Sequence, residues 1–276
     1  QPPGDIRNCL AALSNEEPML TRLFQYRFSR GDGLEGHTFG NLFLSALTTI
    51  TGSLEKAVQA SSKVLSVQGQ VIPATGIDVM LWAELDSGEK IFGESLIGKS
   101  TKPITRIGCI PENPPALPVA IEAIRDADLI VLGPGSLFTS LLPNFLVPEI
   151  VEALLKNNSP KIYISNLMTQ PGETDGLDVF QHIKSIERQL LNFGVNTRIF
   201  NSILSQGEFE RSSLIDYYRS RGAEPVICNK GRLISDGYYV LQAPLYSKKI
   251  TPTLRHDSRR LARAVILMYR KLKKSS

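Results

Sequence analysis

Asp128-Leu129-Ile130-Val131-Leu132-Gly133-Pro134-Gly135-Ser136 is the stretch that decides the fold. An apolar, β-branched run ends at a glycine–proline turn, and a helical pattern follows from about Thr139. The arrangement returns at Lys161-Ile162-Tyr163-Ile164-Ser165. There the run leads into Asn166-Leu167-Met168-Thr169-Gln170-Pro171-Gly172-Glu173-Thr174-Asp175-Gly176, and then a helix is predicted over Leu177 to Leu190. Two strand–loop–helix units in succession read as parallel strands of an open α/β sheet. Their loops reach the same sheet edge, where small anionic ligands bind. That edge is the candidate ligand mouth.

Outward from these units the pattern changes twice. Residues 66–110 carry short strand-like runs at Val67, Val71-Ile72, Val79 to Leu85, Lys90 to Phe92 and Ile104 to Ile110, with a hairpin signal at Asp86-Ser87-Gly88. They read as an antiparallel excursion from the main sheet, closed by the stiff turn Pro111 to Pro115. Further upstream, helical spacing runs from Asp5 to about Leu13, from Glu16 to Phe28, and from Thr38 to Ile50 before Gly52; Ser53 caps a fourth helix. A helix over Val119 to Ala127 precedes the first parallel strand. Later strands are predicted at Thr197 to Phe200, Pro225 to Cys228 and Tyr238 to Leu241, with helices over Phe209 to Arg221 and Asp257 to about Lys271. This alternation implies a mostly parallel sheet with helices on both faces. No linker or repeat interrupts it, so residues 1–276 read as a single α/β domain.

The 276 residues are 42% hydrophobic and 21% charged, which excludes a disordered or fibrous chain. A net charge of +4 is concentrated late, in Arg255, Arg259, Arg260, Arg263, Arg270, Lys271, Lys273 and Lys274. Such a run reads as a solvated or anion-facing helix, and nucleic-acid binding is not expected. Cys9, Cys109 and Cys228 are odd in number and widely spaced, as in a cytoplasmic protein with reduced thiols. No apolar stretch reaches the roughly 18 residues of a membrane span.

Three stretches carry chemistry. Gly133-Pro134-Gly135-Ser136 resembles a phosphate-binding turn, because glycines let backbone N–H groups approach an anion at a helix start. It is neither a P-loop nor G-x-G-x-x-G, and the same residues serve ordinary turns. The loop from Asn166 to Gly176 places six polar side chains within ten residues, as a ligand loop does; alternatively Thr174 or Asp175 caps the next helix and the rest decorates the surface. Gly36-His37-Thr38-Phe39-Gly40-Asn41-Leu42 either permits close backbone packing behind Thr38 as N-cap, or aims His37 and Asn41, four apart, at one ligand. Arg255-His256-Asp257 lacks the partner histidines of a metal site; Asp257 reads as a helix cap, leaving Arg255 to meet an anion.

Taken with Pro3-Gly4-Asp5-Ile6-Arg7-Asn8 and Gly222-Ala223-Glu224-Pro225-Val226, these motifs resemble the YvcK branch of the CofD-like proteins, the gluconeogenesis and cell-shape factors. Members of that family open with a strand, a Gly-Gly-Gly-Thr-Gly loop and an Asp-Asp-Gly-Gly-Ser-Ser-Gly segment. This chain has neither, so its domain is expected to be N-terminally incomplete. The resemblance implies a Rossmann-like fold and a cytoplasmic protein that binds a nucleotide sugar such as a UDP-sugar, and supports morphogenesis during gluconeogenic growth. It places Gly133, Pro134, Gly135, Ser136, Asn166, Met168, Thr169, Gln170, Gly172, Glu173, Thr174, Tyr218 and Arg255 around the nucleotide and phosphates. Asp5, Arg7, Asn8, His37 and Asn41 would line the pocket.

The CofD branch itself transfers a phospholactyl group to a deazaflavin precursor with a divalent metal. A transferase would therefore use magnesium, with Asp5 or Asp175 as candidate holders; otherwise no cofactor is implied and no metal site is read from the residues. A sensor without turnover, a transferase, and a scaffold acting through the basic final helix are the three readings, and each is compatible with a homo-oligomer.

Overall fold

A computed structural model describes residues 4–14, 18–100, 102–210, 213–246 and 254–275. The chain forms two compact units, residues 1–78 with 115–120 and residues 79–114 with 121–276.

The first unit is helical: α1 (Gly4–Leu13), α2 (Pro18–Gln25), α3 (Phe39–Thr51) and α4 (Leu54–Val64). Ile6 and Leu10, one turn apart on α1, join Phe24, Leu44, Val58 and Leu65 in a single core. Ser53 caps α4, its Oγ accepting the Lys56 N–H at 3.2 Å. The second predicted helix is shorter than expected: its start at Glu16 lies outside the described residues, and it stops at Gln25. Beyond that point the backbone pairs elsewhere. Phe39 N–H donates to Tyr26 O at 2.8 Å and Phe28 N–H to His37 O at 2.9 Å, so residues 26–28 form a short ladder with 37–39 instead of a helical turn. The strands expected at Val67 and Val71-Ile72 are absent; Val67 makes one isolated bridge to Ser14.

In the second unit β1 (Met80–Leu85), β2 (Lys90–Phe92), the short α5 (Glu94–Ile97) and β3 (Ile104–Ile110) come first. The strands form an antiparallel sheet in the order β2-β1-β3, hairpinned at Asp86-Ser87-Gly88 as expected, but it is a sheet of its own rather than an extension of the parallel one. After α6 (Pro118–Arg125), which begins in the first unit, come β4 (Ile130–Leu132), α7 (Pro148–Lys156), β5 (Lys161–Ile164), α8 (Val179–Leu191) and β6 (Ser202–Gln206). The last elements are α9 (Ser213–Arg219), α10 (Lys230–Ser235), β7 (Tyr239–Ala243) and α11 (Ser258–Ser275). Strands β4-β5-β6-β7 are adjacent in that order and all parallel. Ala264 and Met268 of α11 pack with Ile162, Ile164 and Leu204 of the sheet. The α/β class and the antiparallel portion are therefore as expected.

Several boundaries moved for identifiable reasons. The strand expected at Thr197 to Phe200 lies later, at β6, whose polar Ser202, Ser205 and Gln206 hide it from an apolar-run reading. All five β6 residues are buried, and Gln206 satisfies itself by accepting the Leu245 N–H at 2.7 Å. Pro225 to Cys228 is not a strand but an extended segment bonded to Leu167 and Met168. The helix expected from Thr139 is broken into a π turn over Leu137–Leu141 and a 3-10 turn over Leu142–Leu146, with Pro143 lacking the N–H a longer helix needs. Asp178, rather than Thr174 or Asp175, caps α8 through a reciprocal capping box with Gln181. Among the described residues no single helix is long and apolar enough to cross a membrane.

One side chain ties the antiparallel sheet to α8. Gln189 is buried, and it accepts from the Ile107 N–H at 3.1 Å while donating to the Ile107 carbonyl at 3.0 Å. Strand β3 is an edge, so these are the two backbone groups its neighbour β1 leaves unpaired. We predict that Gln189→Leu strands both buried groups and costs about 2–4 kcal/mol. Urea unfolding reads this; an unchanged midpoint contradicts it.

Candidate functional site

The two predicted loops leave β4 and β5 side by side. Strand β4 ends at Leu132 and turns through Gly133-Pro134-Gly135, of which Pro134 and Gly135 are exposed. The Gly135 N–H donates to Asn166 Oδ1 across the loops at 3.4 Å, a long bond that leaves this amide weakly engaged. Ser136 caps the following π turn by accepting the Thr139 N–H at 3.2 Å. The Ser136 hydroxyl also donates to Glu173 Oε2, and Thr139 Oγ1 donates to Glu173 Oε1 at 3.3 Å. Glu173 is only 8% exposed. A buried carboxylate requires such partners, so these bonds join the first loop to the second.

The second loop spends most of its polar groups on itself. Thr174 Oγ1 accepts the Gln170 N–H at 2.8 Å, and Asp175 Oδ2 accepts the Gly172 N–H at 2.7 Å. Thr169 pairs with Glu224 in both directions, N–H to carbonyl at 2.7 Å and Oγ1 from N–H at 2.8 Å. Met168 is buried with Leu167 and Ala223 in the core beneath. Met168, Thr169, Glu173 and Thr174 thus face inward and hold the loop. Asn166, Gln170 and Gly172 are half-buried; Asn166 bonds the exposed Gly135 and Gln170 bonds Asn166, so these two amides stand beside the first loop. Gly172 has φ +87, and a Cβ there would lie 2.2 Å from the Ser100 carbonyl oxygen. Only glycine permits that approach.

Tyr218 and Arg255 come together through backbone. The Tyr218 hydroxyl accepts the Leu254 N–H at 3.1 Å, and both residues pack on the core cluster that holds Met168. Past Arg255, His256 hydrogen-bonds the Ser165 backbone and bridges to Tyr246, while Asp257 N–H donates to Leu245 O at 2.7 Å. Arg255 is therefore anchored on both sides, next to the end of β5. It is exposed, and among the described residues no carboxylate pairs with it. Asp257 caps α11 as expected, accepting the Arg259 and Arg260 N–H groups at 3.1 and 3.0 Å.

Sequence reasoning overlooked Ser165 and His256 as members of this edge. Ser165 Oγ and His256 Nε2 are both buried with no hydrogen-bond partner. Burial pushes the His256 imidazole down from about 6.5 to about 4, so it is neutral at physiological pH. A serine closing a strand and a histidine considered only as a metal ligand carry no local signal of this.

Asp5, Arg7, Asn8, His37 and Asn41 belong to the helical unit. Asp5, Asn8 and His37 are exposed, whereas Arg7 and Asn41 each carry a buried polar atom. No group of three His, Cys, Asp or Glu side chains among the described residues could hold a metal ion. Glu173 accepts from Ser136 and Thr139 of the first loop, and Asp175 accepts the Gly172 N–H within the second, so this donor set does not fit magnesium. A cavity of about 550 Å³ lies at the opposite, N-terminal end of β5, lined by residues such as Ile121, Ala153 and Asn157, away from the loop edge.

Comparison with known proteins gives a consistent result. The profile of a family described as 2-phospho-L-lactate transferase CofD matches residues 1–246. A relative from Nostoc sp. is 50% identical over 273 residues, covering 97% of this chain; the chain spans only 58% of that relative's length. The gluconeogenesis factor of Bacillus subtilis is 42% identical over 265 residues, 96% of this chain and 82% of its own length. A crystal structure of a Bacillus halodurans protein, 41% identical, matches with a TM-score of 0.89 over 96% of this chain and 83% of that one.

The geometry carries a pH dependence. Unfolding restores an ordinary imidazole pKa near 6.5 to His256, so the unfolded chain binds more protons between pH 6.5 and 4. The stability this contributes is complete above pH 6.5 and is lost as pH falls through 4, at most about 3 kcal/mol and less with the ring's partial exposure. Buried His182 shifts in the same direction and adds to the slope. We expect His256→Gln to flatten the loss in urea unfolding between pH 7 and pH 4.5. Parallel curves for the two proteins would contradict the assignment.

Proposed function

This chain belongs to the CofD family, in the branch of the gluconeogenesis factors, and from that premise we propose that it binds a nucleotide sugar at the β4–β5 edge as a cytoplasmic regulator of cell shape and gluconeogenic growth. The observation that carries the ligand reading is Arg255: an exposed guanidinium without a carboxylate partner among the described residues, anchored by its neighbours beside the end of β5. A UDP-sugar has the matching chemistry. Its diphosphate oxygens accept from the Arg255 fork and from the weakly engaged Gly135 N–H, and such charge-assisted bonds are strong because the acceptor is ionised. The Asn166 and Gln170 amides, joined only by a 3.4 Å bond, offer both donors and acceptors to ribose or sugar hydroxyls. Tyr218 acts through Leu254, setting the backbone that presents Arg255.

The name of the matching family profile favours a second reading, transfer of phospholactate to a deazaflavin precursor. Regulation is preferred because the edge offers anion donors, while its one buried carboxylate is occupied by Ser136 and Thr139 and its buried histidine is held neutral. Incubation with nucleotide-linked donor, deazaflavin acceptor and magnesium separates the two, and product formation would sink the pure-sensor reading.

Arg255→Ala should weaken UDP-sugar binding by roughly 10- to 150-fold in calorimetry. Unchanged affinity removes Arg255 from the site.

A further inference from the structure

Three buried side-chain atoms of the helical unit have no hydrogen-bond partner among the described residues: Arg7 Nε, Thr38 Oγ1 and Asn41 Oδ1. They come from two helices that meet closely. Gly40 is the second residue of α3, and a Cβ on it would lie 2.9 Å from Arg7 Cγ and 2.5 Å from the Phe24 carbonyl oxygen. The Arg7 stem from α1 therefore lies directly on the first turn of α3. Thr38 occupies the N-cap position of α3, a helix of 13 residues, yet its side chain makes no cap bond. It is only 2% exposed, so its hydroxyl is buried and idle at the positive dipole end of the helix. Phe39 N–H there donates to Tyr26 O, and Asn41 and Leu42 N–H donate to Thr38 O, which leaves the Gly40 N–H of the first turn for a ligand.

The charges around this point are one-sided. Arg7 forms no ion pair among the described residues, and burial together with the nearby Arg27 guanidinium lowers its pKa, against a smaller opposing influence of exposed Asp5. Arg27 bridges to Thr38 through backbone and donates from Nη1 to the Gly36 carbonyl at 2.5 Å, a neutral partner. Two guanidiniums thus approach one helix start with no carboxylate bonded to either. Burying the Nε of an arginine and a hydroxyl without partners is unfavourable unless something fills the gap.

We propose that Arg7, Arg27, Thr38 and Asn41 form an oxyanion site in the helical unit that takes a phosphate group. The Arg7 fork and the Gly40 N–H donate to its oxygens, as does the Thr38 hydroxyl. Asn41 contributes its amide: a half-turn about the last side-chain bond exchanges the orphaned Oδ1 for the donating Nδ2. Gly40 is what allows Arg7 to reach this position. All four residues belong to the helical unit, and the proposal rests on that unit alone; the family resemblance implies instead that Arg7 and Asn41 line the nucleotide pocket, and the test is chosen to separate the two.

The test titrates inorganic phosphate, by calorimetry, into the full chain carrying Arg255→Ala, which removes the other proposed anion contact. Binding should persist in that background. Adding Arg7→Gln should weaken it by roughly 10- to 150-fold, and adding Thr38→Val by roughly 3- to 10-fold. Thr38→Val removes an unsatisfied buried hydroxyl at constant shape, so its phosphate-free melting temperature should hold or rise, which separates lost binding from lost folding. A glycerol phosphate run alongside distinguishes sources: tighter binding than inorganic phosphate assigns the site to a phosphorylated small molecule, equal or weaker binding to the free ion. No phosphate binding in the Arg255→Ala chain, or equal affinity in all three chains, overturns the proposal. UDP-sugar affinity measured on the same proteins reports separately on the β4–β5 edge.

Discussion

Everything at the β4–β5 edge depends on a buried carboxylate. Glu173 sits on the second loop, out of water, and its oxygens are satisfied by the hydroxyls of Ser136 and Thr139 from the first. A hydrogen bond to a charged group contributes about 1.5–3 kcal/mol, and leaving the charge bare costs more. The two loops therefore cannot separate without exposing Glu173 or stranding it. Gly172, next to it, brings the loop against Ser100 at a distance no side chain tolerates. Thr169 fastens the other end of the loop to Glu224. A mouth that looks like two mobile loops in sequence is a braced frame.

That bracing redistributes the roles. Of the residues that resemble phosphate contacts, Ser136 and Glu173 use their side chains on each other, and Thr169 and Thr174 spend theirs on the Glu224 and Gln170 N–H groups. On the proposed reading, recognition passes to the Gly135 backbone, the Asn166 and Gln170 amides, and Arg255. Three hydrogen bonds of its neighbours deliver Arg255: Leu254 N–H to the Tyr218 hydroxyl, the His256 ring to the Ser165 backbone, and Asp257 N–H to the Leu245 carbonyl. Preorganisation of this kind lowers the ordering cost of binding, because the donors are in place before the ligand arrives.

Much of this was legible in the sequence, for physical reasons. Short apolar, β-branched runs that end at turn residues made β4 and β5 visible, and with them the shared edge, even though Val131 of the edge strand β4 is exposed. Strand β6 was misplaced because Ser202, Ser205 and Gln206 satisfy their polarity by hydrogen bonding rather than by facing water. The helix after Ser136 was read as regular because periodicity is insensitive to the π and 3-10 turns that Pro143 accompanies. The polar density of residues 166–176 did mark a special loop, but spacing alone cannot tell polar groups that bind a ligand from polar groups that bind each other. Ser165 and His256, ninety-one positions apart in the numbering of the chain, meet only in three dimensions.

The most direct test of the account is amide hydrogen exchange of the full chain with and without UDP-sugar. The account predicts slowed exchange in residues 133–136 and 166–176 and in the segment around Arg255, with the N-terminal end of β5 unchanged. Protection confined to other parts of the chain, or none at saturating ligand, would contradict it.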